Sequence, residues 1–330
     1  MKRTHLLLVL LVALLAAGCQ RFRGGVATPI VADTPTPRST PLPPVATDVP
    51  PGAEDNPLAL VIVDPGSGRS PRALTTAADQ LIELLADETD LTVEVTVVQT
   101  QAEAYAMLCE SGRGRVGAAW VNGLTYAVAF EAGCGEPALQ VERGTGRTAS
   151  VGEQVRLIVN RTAGIQSVTN LGARPFCRVS VDDFYTWLMP SLMLRVAGLD
   201  PLTLENVVDL GDVADVIAGV AEGRACAAAG VSSTDFADFA DADQEADIAF
   251  IGQPVVVPYA ILMLPSEMPL GVRSALVDGL QAIAIDPDRA DTLEILLNQT
   301  RLIPADASDF TTFLSFVRST GLNLGQLDGE

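Results

Sequence analysis

The stretch "GIQSVTNLGARPFCRVSVDDFYTWLMPSLMLRVAGLDP", residues 164–201, decides how the rest of the chain is read. Within it, "FCRVSV" (176–181) has the branched, apolar character of a buried strand, and "YTWLMPSLMLRVAG" has the length and spacing of a helix. Between them stand two adjacent acids, Asp182 and Asp183, then Phe184, Tyr185 and Trp187, in a chain that is only 5% aromatic. Pro190 predicts a kink, or a helix start near Met189, because it has no N–H to donate. A strand that runs into acids, rings and a helix start is either an ordinary junction or the wall of a pocket.

Outward from this stretch the same alternation continues in both directions. Upstream, "LALVIVD" (58–64) is a short apolar run, and Leu74, Ala77, Ala78, Leu81, Leu84 and Leu85 follow at helical spacing. "LTVEVTVVQ" (91–99) alternates as a half-buried strand does. "AEAYAMLCESG" (102–112) reads as a helix, "VGAAW" (116–120) as a strand, "LTYAVAFEAG" (124–133) as a helix and "QVRLIVN" (154–160) as a strand. Downstream, "ENVVDLG", "ACAAAGV", "IAFIG" and "VVVPYAILML" (255–264) are strands separated by helical segments, and the tail is helical. The pattern predicts an α/β fold with a mostly parallel sheet in each half, flanked by helices.

The ends belong to neither half. Lys2 and Arg3 precede an apolar run, "LLLVLLVALLAA" (6–17), too short for a comfortable membrane span, and "AAGC" (16–19) resembles a bacterial lipobox. Residues 1–18 are expected to be a lipoprotein signal peptide, with Cys19 lipidated and the chain tethered to the outer face of the cytoplasmic membrane. Residues 19–56, with "TPTPRSTPLPPVATDVPP", are rich in proline and threonine and are expected to form an extended stalk.

Composition excludes several functions. There are 41 acidic and 21 basic residues, no basic patch stands out, and nucleic acid is not an expected partner. The only histidine is His5 and the only lysine is Lys2, both inside the expected signal peptide. A mature chain without imidazole or ε-amine has no Ser-His-Asp or Cys-His machinery, no histidine metal site and no Schiff base. No GxxxxGK loop and no CxxC spacing occur, so neither cofactor nor metal is expected. Asp182 and Asp183 are chain neighbours and should point apart, which disfavours a two-carboxylate enzyme.

Four cysteines remain beyond Cys19, an even number in an exported chain, which suggests two disulfides. Of the three connectivities, Cys109–Cys134 with Cys177–Cys226 keeps each bridge within one half. Four buried free thiols is the alternative.

Residues 164–201 resemble the second-lobe signature of the phosphate, phosphite and phosphonate substrate-binding proteins of ABC transporters. "GDVADVIAGVAEGRACAAAGVSSTDF" (211–236) is similar to the family's next block, and "PVVVPYAILMLPSEMP" (254–269) to its return strand. The resemblance spans roughly 57–330. It implies the type 2 periplasmic-binding-protein fold, with lobe 1 built from 57–156 and 254–330, lobe 2 from 157–253, and hinges near 154–163 and 250–257. The family's Ser-Thr-Ser-Gly turn, which holds phosphonate oxygens, falls here on Asp183, Phe184, Tyr185 and Thr186, where Thr186 alone keeps a small hydroxyl. The family's Gly-Ser-His becomes Gly211, Asp212 and Val213. These changes argue against phosphonate, phosphite or phosphate as the ligand, because a desolvated carboxylate facing an anion is costly.

Ligands of open parallel sheets bind beyond the carboxyl ends of the strands. That rule selects Asp64, Ser67, Arg69, Trp120 and Asn122 in lobe 1, and Asp182, Asp183, Tyr185, Trp187, Asp212 and Ser232 in lobe 2; Thr186 is added by the family resemblance alone. Helix capping alone would account for Asp183, Asp212 and Ser232, and core packing for Trp187. Acids and rings at one edge suit a small organic cation, a zwitterion presenting its amine, or a neutral polar solute stacked on the rings. The expectation is a monomeric solute-binding lipoprotein that delivers a small molecule to a membrane ABC permease. A surface sensor acting on a receptor kinase is the alternative.

Overall fold

The computed structural model describes residues 49–66, 68–111, 117–299 and 301–322. The expected signal peptide and Cys19 lie outside these residues. Residues 49–56, assigned above to the stalk, already belong to the folded body. Gly52 is buried, its N–H donates to the Asn56 carbonyl at 2.8 Å, and its carbonyl accepts from Thr92 N at 2.7 Å.

The first half opens with strand β1 (Leu58–Val63), helix α1 (Pro71–Thr89), β2 (Val93–Val98), α2 (Gln101–Cys109), β3 (Gly117–Val121), α3 (Gly123–Glu131) and β4 (Glu136–Glu142). The second half holds β5 (Gly152–Asn160), β6 (Phe176–Arg178), α4 (Met189–Val196), β7 (Val207–Asp209), α5 (Val213–Glu222), β8 (Ala228–Ser232), α6 (Ser233–Phe239), α7 (Ala242–Asp247) and β9 (Ile248–Pro258). The chain then returns with β10 (Ile261–Leu264), α8 (Leu270–Ile285), α9 (Ala290–Leu297), β11 (Arg301–Pro304) and α10 (Thr311–Ser319).

Two sheets result. The first has the order β11-β4-β10-β3-β1-β2 and the second β7-β6-β8-β5-β9. β1 pairs in parallel with β2 and β3, and β6 with β7 and β8, as the βαβ alternation requires. The strands that travel between the halves, β5, β9 and β10, run antiparallel to their neighbours, as do β4 and β11 to theirs. Both sheets are therefore mixed, where a mostly parallel pair was expected. β4 and β11 escaped the sequence reading. The expected long strand at 255–264 is two strands, because the chain leaves one sheet at Pro258 and enters the other at Ile261.

Periodicity became packing in a direct way. Helix α1 buries Leu74, Ala77, Ala78, Leu81 and Leu85, against Leu58, Leu60 and Ile62 of β1 and against α8 and α9. Each leucine so buried contributes about 1.5–3 kcal/mol. Ser70 caps α1 by accepting from Ala73 N, and Pro71 occupies the first turn, where its missing N–H costs nothing. In the second half, Val216, Ile217 and Val220 of α5 pack on Ile158, Ala229 and Val231.

Both expected disulfides are formed. Cys109 at the end of α2 joins Cys134 after α3, with Cα atoms 4.7 Å apart. Cys177 in β6 joins Cys226 before β8, with Cα atoms 5.5 Å apart. The two crossings between the sheets fall at residues 143–151 and 259–260, because β5 and β9 pair with each other within the second sheet along 152–160 and 248–258.

Candidate ligand-binding cleft

The stretch Asp183–Met189 is a wide turn, not a plain helix start. Leu188 N donates to the Asp183 carbonyl at 2.9 Å, a bond spanning five residues, and α4 begins only at Met189, with Pro190 inside its first turn. Such wide turns are frequent at functional sites. This one splits the four side chains. Thr186 and Trp187 go into the protein, whereas Phe184 and Tyr185 line a cavity. Gly230 of β8 lets the turn sit close, since a Cβ there would lie 1.9 Å from Pro190 Cγ and 3.0 Å from the Tyr185 carbonyl oxygen.

That cavity, about 310 Å³, is lined from both halves. Asp64 and Pro65 follow β1, Trp120 and Val121 end β3, Asn122 follows it, and Gln101 opens α2. Arg143, Tyr259 and Ala260 come from the crossings and Pro258 from the end of β9, with Leu296 and Leu297 of α9 nearby. Asp64 accepts from Gly66 N through Oδ1 at 2.9 Å. Asn122 caps α3 by accepting from Thr125 N at 2.9 Å, while its own N–H donates to Gln101 Oε1 at 3.1 Å. Trp120 is 1% exposed, and its buried indole N–H has no partner among the described residues. An orphaned donor at a cavity wall is costly unless something accepts from it.

The crossings contribute a connected set. The Arg143 guanidinium lies 4.1 Å over the Tyr259 ring, and its Nε donates to the Asn298 carbonyl at 2.7 Å. The Tyr259 hydroxyl donates to Glu153 Oε2 at 3.1 Å. Glu153 is buried, and it also accepts from Thr234 N at 3.1 Å and Thr234 Oγ1 at 2.8 Å. Burial, then the Glu153 carboxylate, pushes the Tyr259 phenol up to about 12. Burial first and Glu153 next also hold the Tyr185 phenol above its ordinary value. Both phenols are neutral at physiological pH and serve as hydrogen-bonding ring walls.

Of the residues selected from sequence, the cavity gathers Asp64, Trp120, Asn122 and Tyr185. Ser67 lies outside the described residues. Arg69 is 3.8 Å from Glu294 on α9 and is not in the wall. The acids of the second half stay out of the wall as well. Asp182 is exposed, Asp212 caps α5 through Ala214 N at 2.7 Å, and Asp183 Oδ1 takes both Thr186 N and Thr186 Oγ1 at 2.6 Å. The Thr186 hydroxyl, fully buried, also accepts from Val179 N at 2.9 Å, so it holds the turn. Trp187 is core, with its ring 5.9 Å from Phe176 and under the Arg178 guanidinium at 4.3 Å. Ser232 caps α6 and hydrogen-bonds Asp235. Phe184, Gln101, Arg143 and Tyr259 were not selected. The strand-end rule reached beside Gln101 and Phe184, but gave no signal for the crossings.

A larger cavity, about 510 Å³, lies among the crossing strands, α4 and α10. Its wall is mostly apolar, with Met193, Val255, Phe310, Phe313 and Phe316, and its polar members are Gln140, Gln253, Asp309 and Thr312. Pro258 borders both.

Two mixed α/β lobes, joined by two crossings, with a polar, ring-lined cavity beyond the carboxyl ends of β1 and β3, define a solute-binding protein of the periplasmic type. The family described as ABC transporter, phosphonate, periplasmic substrate-binding protein matches residues 67–310, and the chain belongs to it. Members of this family bind and hand on a solute without catalysing a reaction, so the chain is the substrate-binding component of an ABC transporter and not an enzyme. Solved structures share the fold. XAC2383 from Xanthomonas citri, bound to chloride ion, is 18% identical with a TM-score of 0.56, over 80% of this chain and 97% of that one. The binding-protein component PA3383 of an ABC phosphonate transporter from Pseudomonas aeruginosa is 14% identical with a TM-score of 0.50, over 84% and 90%. PhnD1 from Prochlorococcus marinus, in complex with methylphosphonate, is 15% identical with a TM-score of 0.50, over 80% and 98%. No curated protein matches the chain. Among the described residues, no helix is long and apolar enough to cross a membrane.

Proposed function

We propose that this chain is a lipid-anchored solute-binding protein that captures a small polar, amine-bearing molecule between its lobes and delivers it to a membrane permease. The observation that carries this reading is the cavity wall itself, with Asp64 set among Trp120, Phe184, Tyr185 and Tyr259. A carboxylate pairs with an ammonium, and ring faces add about 0.5–2 kcal/mol each when desolvated. Thr186, the one hydroxyl left from the family's oxyanion-binding turn, is spent on Asp183 and Val179, which weighs against an isolated phosphonate held at that turn. The mechanism is closure. A solute touching both rims binds the closed arrangement more tightly and shifts the population toward it. Anchoring follows from the lipobox at Cys19, and partnership with a permease from the family.

The test is calorimetry of the purified protein against small amines, amino acids and methylphosphonate, with mass spectrometry of any solute that co-purifies. The expected result is saturable binding of an amine-bearing solute. Tight methylphosphonate binding with no response to any amine would overturn the proposal.

A further inference from the structure

Among the described residues, the cavity wall holds one acid and one base, Asp64 and Arg143, and no other ionisable side chain except the two phenols. The sequence reading expected acids from both lobes. In the structure, the second lobe supplies Phe184 and Tyr185 while its acids stay out of the wall. The charge to be matched is therefore balanced, and a simple cation would leave Arg143 facing an empty cavity in a low-dielectric site.

Arg143 is prepared for an acceptor. Its ring contact with Tyr259 and the bond from Nε to Asn298 fix the plane of the guanidinium. Its terminal nitrogens have no hydrogen-bond partner among the described residues, and they are the atoms that grip an oxyanion bidentately. Asp64 has one oxygen on Gly66 N and none of the described residues on the other. Trp120, another residue of the wall, has a buried indole N–H with no partner among the described residues. Behind Arg143 stands a support that itself lies outside the wall. Buried Glu153 holds the Tyr259 hydroxyl, and Thr234 at the start of α6 holds Glu153. The plane of Tyr259, and with it the placement of Arg143, is thereby tied to the second lobe.

Resting on the solute-capture reading above, we propose that the cleft takes a small zwitterion, its ammonium on Asp64 and its oxyanion on Arg143, and that Glu153 is a positioning residue acting through Tyr259. The shared chemistry is an amino group and a carboxylate joined by a short apolar body, since the hydroxyl left from the family's oxyanion-binding turn is engaged by Asp183 and Val179.

The test is calorimetry of the purified protein with aminoalkanoates and aminoalkylphosphonates of two to six carbons, each beside its matched alkylamine, alkanoate and alkylphosphonate. At least one zwitterion should bind about tenfold or more tighter than both of its halves, the size expected for losing one charged hydrogen-bonded contact. That zwitterion should be an aminoalkanoate, and an aminoalkylphosphonate that binds more tightly than every aminoalkanoate would overturn the carboxylate assignment. Arg143→Gln should cost that zwitterion about tenfold while changing its alkylamine by less than about twofold. Glu153→Gln, and Tyr259→Phe as a variant that keeps the ring, should each lower the zwitterion-to-alkylamine ratio about three- to tenfold, a readout that general loosening would not move. An alkylamine or an alkylphosphonate binding as tightly as any zwitterion, or a ratio unmoved by Arg143→Gln, would overturn the inference. If the protein instead captures a neutral or singly charged solute, the inference fails and solute capture stands. If it carries and binds nothing across the panel, both fail.

Discussion

Asp64 and Trp187 lie near opposite ends of one distinction, between residues that meet a ligand and residues that hold the wall. Asp64→Asn keeps an acceptor for Gly66 N and removes the charge. The expected outcome is a loss of about 1.5–3 kcal/mol in the affinity for an amine-bearing solute, with an unchanged melting temperature in its absence, as read by calorimetry and thermal unfolding. Trp187→Ala should do the reverse. Removing a buried ring that packs on Phe176 and Arg178 should cost about 3–5 kcal/mol in urea unfolding, with cleft residues untouched. The strand-end rule selected Asp64, Trp120, Asn122 and Tyr185, which line one cavity, because a strand's direction fixes where its last side chains emerge. Trp187, which the rule also selected, and Thr186, added by the resemblance, lie outside that wall, because the direction of a side chain in an irregular turn changes within one residue. Arg143 and Tyr259 were invisible because nothing local marks a crossing between sheets.

At the scale of elements, the turn before α4 depends on β8. Gly230→Ala would drive a methyl into Pro190 and against the Tyr185 carbonyl. The expected cost is about 1–3 kcal/mol, with weaker solute binding because the Phe184 and Tyr185 rings move with the turn. Denaturant titration and calorimetry on the same variant measure both. The bridge Cys177–Cys226 spans 49 residues and ties β6 to the segment before β8. Replacing both cysteines by serine should cost about 2–5 kcal/mol, read from the shift of the urea midpoint. Helices such as α1 were legible from spacing, since five of its apolar positions are buried on one face. β4 and β11 were not. "EPALQVE" carries acids at both ends and a proline, and "RLIP" is four residues long and also ends in proline, so neither gives a clean two-residue period. β9 and β10 merged in the reading because Tyr259 and Ala260 continue the apolar run across the crossing.

For the whole molecule, capture between two lobes implies a change of shape on binding. Small-angle scattering should report a smaller radius of gyration with a bound solute than without. At a solute concentration of 100 times the dissociation constant, stability should rise by about 2.7 kcal/mol. An unchanged scattering profile alongside saturable binding would show a lobe arrangement already set before the solute arrives. The two-sheet plan itself was legible at this scale, because the strand–helix alternation repeats on either side of residues 154–160. The mixed character of the sheets was not, because antiparallel pairing comes from strands that leave one half for the other.

The placement of the cystines bears on how the molecule ages and how it can be handled. Each staple lies inside a single half, and among the described residues no disulfide joins the halves, whose only covalent links are the chain segments at 143–151 and 259–260. A reductant would therefore soften the jaws and leave their articulation intact. An engineered bond between the jaws would do the opposite, freezing the bite while leaving each half as firm as before.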